Sequence, residues 1–163
     1  TWYHIVMVHN GSGTVTGYKD GTPGSSTSVT PSISNLGIGA RFNNTYGDEF
    51  HGKISDVAIW DVALDADTII SIRNSGTPND LTLAASYTAG SGVDKSGDLQ
   101  GYWKMGEEAT FSTNWTIPDS STNSNDGTSV NMDIADRVGD APNSTNNAVS
   151  LNMVEADREV DTP

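Results

Sequence analysis

The stretch EFHGKISDVAIWDVALDADTIISIRNSG, residues 49–76, predicts a loop, a buried strand and one short helix with signals at both of its ends. Gly52 marks the entry. Ile54, Val57, Ala58, Ile59 and Trp60 then form a β-branched and aromatic run of strand length. Asp65 suits an N-cap, because its short carboxylate can accept a bond from an otherwise orphaned first-turn amide. Leu64 before it can staple onto Ile69. Ile69, Ile70 and Ile72 supply an apolar face, Arg73 complements the negative end of the helix dipole, and Gly76 can close the turn. A helix is expected near 65–74.

Working outward, Trp2 to His9 is apolar on both faces apart from its histidines, which predicts a central strand covered on each side. Asn10-Gly11-Ser12-Gly13 marks a turn, and 14–19 a strand returning antiparallel. Asp20-Gly21-Thr22-Pro23-Gly24 reads as another turn, 25–34 as a solvated edge strand or loop, and Leu36–Phe42 as a short strand. Past Gly76 the composition shifts. Residues 77–98 read as a small-residue connector, Leu99–Met105 as a strand, and 132–163 as an acidic polar tail.

Five short motifs in order resemble the second half of a laminin-G-like, concanavalin A-type jelly roll. They are Trp2-Tyr3-His4-Ile5-Val6-Met7-Val8, Tyr18-Lys19-Asp20-Gly21, Leu36-Gly37-Ile38-Gly39, Phe50 to Trp60, and Ala63-Leu64-Asp65. Asp65 stands where the family usually has Ser, and both are N-cap residues. Residues 99–131, with a Tyr-Trp strand and the run Asp119-Ser120-Ser121-Thr122-Asn123, resemble the start of a further unit, or the complement of one interrupted domain. The resemblance implies an all-β antiparallel sandwich, incomplete within this chain, with one short helix. Residues 1–76 would be one half-domain and 77–98 the link. Thr1-Trp2 is already strand-like, which suggests that the chain begins inside a longer protein.

The totals narrow the function. Net charge is −13, with eight acids against four bases in 1–93 and thirteen against four in 94–163. That field repels phosphate backbones, so nucleic acid is not an expected partner. No apolar run is long enough for membrane insertion, and with no cysteine there is neither a disulfide nor a thiolate ligand.

An enzyme reading rests on Glu155-Ala156-Asp157-Arg158-Glu159, since some relatives of this fold are glycosidases with period-2 carboxylates on one strand face. Arg158 falls where an apolar anchor is needed, and Glu107-Glu108 face opposite ways on a strand, so catalysis is not expected. Calcium is the better candidate cofactor, because laminin-G-like domains often hold an ion through oxygen ligands. Its candidate ligands are Asp20, Asp48 and Glu49 in the first half, and Asp119, Asn123 and Asn125 in a run that resembles an EF-hand loop. That run has Ser124 in place of the sixth-position glycine and lacks the twelfth-position Glu. Ordinary turn chemistry would place the same residues there. For glycans, Tyr46 and Trp115 are the candidate exposed rings, with Asn43 and Asn44 as hydroxyl readers. His4 matches the family's strand histidine and is expected buried and hydrogen-bonded, while Trp2, Trp60 and Trp103 are expected in strands as core.

Tandem modules of this kind occur in large bacterial surface proteins and tailed phages. The resemblance therefore implies a non-catalytic structural or adhesion module, extracellular, on a cell surface or in a virion. Its partners would be other copies or domains of the same assembly, joined through open sheet edges. A calcium-assisted carbohydrate-binding module is the alternative.

Overall fold

The computed structural model describes residues 1–29, 36–42, 46–47, 50–106 and 108–137. Its architecture is all-β with one short helix. The strands are β1 (Ile5–His9), β2 (Thr14–Lys19), β3 (Thr22–Ser28), β4 (Arg41–Phe42), β5 (Tyr46–Gly47), β6 (Val57–Trp60), β7 (Leu99–Trp103), β8 (Thr110–Phe111), β9 (Trp115–Ile117) and β10 (Gly127–Thr128), with helix α1 (Ala66–Arg73) between β6 and β7. Every described pairing is antiparallel, in sheets β1-β2-β3, β10-β9-β8, β4-β5 and β6-β7.

Turn chemistry sets the first sheet. Asn10 Oδ1 accepts from the amides of Ser12 and Thr14 and shapes the β1–β2 loop. The β2–β3 turn is only Asp20-Gly21, shorter than the five residues expected. Lys19 pairs with Thr22, and both turn residues have positive φ, as a type I′ hairpin requires. Gly21 is needed twice over, because a Cβ there would also meet Ile70 Cγ1 at 3.2 Å. The strand expected over 36–42 shrinks to Arg41–Phe42.

Helix α1 starts as read. Asp65 Oδ1 accepts from Thr68 N–H at 2.7 Å, and Leu64 and Ile69 are both buried. Its other end differs. Asn74, at φ 45°, is the left-handed C-cap, and its N–H reaches the carbonyls of Ile70 and Ser71, so Gly76 is not the closing residue. Ile69 and Ile72 are buried while Ile70 is exposed, because a residue one step from Ile69 turns about 100° away from the face that Ile72 shares.

Segment 77–98 is largely exposed but sends Leu81 and Tyr87 into the core and is held against α1. Ser71 Oγ donates to Ser86 O and accepts from Ala89 N–H. Thr68 Oγ1 accepts from Val93 N–H at 3.0 Å, so two helix hydroxyls pin the segment. Tyr87 is fully buried, donates to Leu81 O at 2.6 Å and accepts from Trp60 Nε1 at 3.2 Å. The core joins Leu64, Ile69 and Ile72 to Leu81, Tyr87, Leu99 and Tyr102, with Val6, Val8 and Tyr18 packed against it. The two pieces read separately in the sequence therefore share one core, and β7 pairs directly with β6. On β7, the Trp103 ring lies where a Cβ on Gly101 would stand, which only glycine permits.

Candidate functional site

Among the described residues β1 pairs only with β2, so no second strand is seen beside it where its composition predicts a covered central strand. Its even positions Val6 and Val8 turn to the core. Its odd side is open: Tyr3 is 55% exposed, Ile5 64% and Met7 77%. Lys19 sits 3.9 Å above the Tyr3 ring and borders this stripe. An unpaired strand edge in water is solvated and tolerable; an apolar stripe on that strand is not a neutral surface.

The opposite edge of the same sheet is built differently. β3 is exposed at all seven positions, reads Thr-Pro-Gly-Ser-Ser-Thr-Ser, and carries Pro23, which cannot donate to an added strand. One edge is thus blunted, and the other lies beside exposed apolar side chains. The free side of β1 borders a cleft of about 1720 Å³ whose other wall is β6 and the segment after α1. Among the described residues β6 pairs only with β7, so this wall too offers an open strand edge.

The candidate metal ligands are occupied by the fold where they are described. Asp20 Oδ1 accepts from His4 N–H at 3.0 Å and lies 3.9 Å from Arg73 Nε, tying the β2–β3 turn to β1 and α1. Asp119 is more fully engaged. Oδ1 accepts from the amides of Tyr102 (2.8 Å) and Ser121 (2.9 Å), and Oδ2 from Ser121 Oγ (2.8 Å) and Asn125 N–H (2.9 Å). A carboxylate has about four acceptor sites, and all are filled. Burial pushes the Asp119 carboxyl up, but the donors from Tyr102, Asn125 and Ser121 outweigh it, so its pKa is held below the usual range. Asn123 Nδ2 donates to Leu99 O and Gln100 O, and Asn125 Nδ2 to Gln100 O, while Asn125 O accepts from Trp103 Nε1. Ser124 adopts φ 56°, the conformation that glycine supplies in an EF-hand loop. The loop has that bend, but its oxygens bracket β7. As placed, it does not fit a hard cation. Among the described residues no three His, Asp or Glu side chains are grouped to hold a metal.

Trp115 is a correction. It is 6% exposed, its Nε1 donates to Asp133 O at 2.7 Å, and its ring packs on Phe111, so it is not the exposed sugar platform expected. Its polar neighbours in sequence hid the short β8–β9–β10 meander that buries it; the only signal was Ile117 at period 2. Asn43, Asn44, Asp48, Glu49, Glu107 and Glu155 to Glu159 lie outside the described residues, as does the Tyr46 side chain. Trp2 falls before β1 rather than within a strand, whereas Trp60 and Trp103 lie in β6 and β7. The His4 ring is half-buried with Nδ1 unpartnered, where a hydrogen-bonded ring was expected. Burial, then Arg73, lower its pKa against the opposing pull of Asp20. Tyr3, Ile5 and Met7 were missed as surface, because a run apolar at every position reads as doubly covered.

Antiparallel sheets, tight Asp-Gly and Asn-Gly turns, and one short capped helix define an all-β module. Residues 1–70 match the family model of the Concanavalin A-like lectin/glucanases superfamily, the superfamily to which the five motifs pointed. Neither a curated protein nor a solved structure matches the chain. Among the described residues, no helix is long and apolar enough to cross a membrane.

Proposed function

We propose that this chain is a non-catalytic structural or adhesion module of a surface or virion assembly, built on a lectin-like fold. The observation that carries this reading is the exposed Tyr3–Ile5–Met7 stripe along a strand whose second edge has no partner among the described residues, set against a β3 edge that is polar and proline-blunted. A module made to stay alone would blunt both edges. Here one side of the sheet is protected and the other offers apolar area to a neighbouring copy or domain. The engaged carboxylate of Asp119 and the buried Trp115 remove support from the calcium-assisted carbohydrate alternative at the second-half loop, leaving it to residues 43–49.

Sedimentation of the wild-type chain and of an Ile5→Lys/Met7→Lys variant tests the assembly role. The expected result is concentration-dependent association of the wild type, lost in the variant with the fold intact by circular dichroism. A wild type that stays monomeric at high concentration, or a variant that associates equally well, overturns it.

A further inference from the structure

We propose that Asn10-Gly11 is a self-modifying site, at which the folded β1–β2 loop converts its own asparagine to aspartate and isoaspartate through a cyclic imide. Asn10-Gly11 is the one Asn-Gly step in the sequence, and the groups around it set it apart from a bare dipeptide. Gly11 N–H donates to His9 Nδ1 at 3.3 Å. An imidazole acceptor therefore already stands on the proton that the attacking nitrogen must give up. Asn10 Oδ1 accepts from the amides of Ser12 at 2.9 Å and Thr14 at 3.0 Å. Two backbone donors on one amide oxygen polarise Cγ, and the same pair can hold the negative charge that develops on that oxygen. Both bonds fall on the oxygen rather than on Nδ2, the leaving group.

The surroundings admit the reaction. Asn10, Gly11 and Ser12 are exposed, so water reaches the loop. A Cβ built on Gly11 meets nothing within 4 Å, so no neighbour crowds ring closure. In the first step the Gly11 nitrogen bonds to Asn10 Cγ as its proton passes to His9 Nδ1. The bond from Cγ to Nδ2 then breaks, and ammonia leaves with that proton. Water opens the imide at either of its two carbonyls. The net change is one water taken up and one ammonia released, with no oxidant or cofactor.

The two products differ in what they do to the sheet. A side-chain carboxylate keeps acceptors for Ser12 and Thr14 and adds a negative charge at the end of β1. Isoaspartate instead routes the backbone through the former side chain and lengthens it by one methylene. That extra carbon falls between β1 and β2, in a loop closed by Asn10 N–H to Thr14 O at 3.0 Å. The chemistry concerns this loop alone and does not depend on the assembly role.

An ordinary Asx turn would act the other way, holding the side chain in place and slowing closure. The two readings predict opposite effects of folding. The test follows position 10 of the full chain with time, in buffer and in denaturant at the same pH, by peptide mapping that separates asparagine, aspartate and isoaspartate. Conversion in the folded chain should be about tenfold faster or more than in the denatured chain. His9→Phe keeps a ring but removes the acceptor, and should bring the folded rate down to the denatured one with circular dichroism unchanged. A folded wild type that converts no faster than the denatured chain overturns the proposal, whatever the variant does. A folded rate that His9→Phe leaves unchanged overturns it as well.

Discussion

The half of the molecule around α1, β6 and β7 closes on itself, whereas the β1-β2-β3 sheet does not. In the first region Tyr87, Tyr102 and Ile69 are nearly inaccessible, and their polar neighbours are bonded: Tyr87 to Leu81 O and Trp60, Tyr102 O–H to Asp56 and Asn79 O. In the second region only alternate residues of β1 touch the core, and Ile5 and Met7 face outward. Both regions are rich in β-branched and aromatic residues. The difference lies in what covers them: a helix, a pinned loop and an aspartate bracket on one side, and on the other an edge with no partner among the described residues. The first region is closed by its own chain, and the second leaves apolar side chains exposed.

Substitutions that breach the closed region should cost most. Ile69→Ala, at a site with no exposure, removes the residue that meets Leu64 and the core, and is expected to destabilise by about 4 kcal/mol in denaturant unfolding. Asp119→Ala comes next, at about 3 kcal/mol, because it leaves the amides of Tyr102 and Asn125 without acceptors. The same contact sets the acid limit. The Asp119 pKa is lowered on folding, as are those of Asp65, Asp80 and Asp94, so the folded state binds fewer protons than the unfolded one near pH 4. Their stabilisation is present above the ordinary carboxylate pKa of about 3.9 and is lost as pH falls through the folded values. His4 has the same sign in a higher window. Its folded pKa lies below about 6.5, so stability should begin to fall as pH drops past that value. A melting temperature flat from pH 7 to 5 would remove His4 from this account, and His4→Gln should abolish the slope.

The helix cap is a smaller lever. Asp65→Ala forfeits the bond to Thr68 N–H at an exposed turn and should cost about 1 kcal/mol. Of everything in the fold, this end of α1 was the most legible in sequence, because a cap, a staple and a helical face are local and reinforce one another. Its other end was not. Asn74 and Gly76 both tolerate positive φ, and sequence alone does not rank them. The two-residue Asp20-Gly21 turn was legible as a turn, but its length depends on where β3 begins to pair. Residues 77–98 read as a spacer because the groups that bind it, Thr68 and Ser71, are ordinary helix-surface residues until the tertiary fold buries them. The Asp119 loop was legible as oxygen-rich. Whether those oxygens meet a cation or the amides of β7 is set by a strand about 20 residues earlier, which no local pattern encodes.

The sharpest form of the comparison comes from the smallest expected change in stability. Met7→Lys replaces the most exposed apolar side chain on β1, and its Cβ points away from the core that Val6 and Val8 touch. Surface substitutions of this kind usually change monomer stability by no more than about 0.5 kcal/mol. A charge on an edge strand nevertheless opposes edge-to-edge pairing. Thr27→Lys on β3 should be equally mild for stability, and it should leave association untouched because that edge is already polar. Denaturant unfolding and light scattering on the two variants separate the outcomes. If Met7→Lys alone abolishes association at unchanged stability, the two edges differ in function as they differ in chemistry. If Met7→Lys instead unfolds the chain, the stripe is structural, and β1 belongs with the closed half of the molecule.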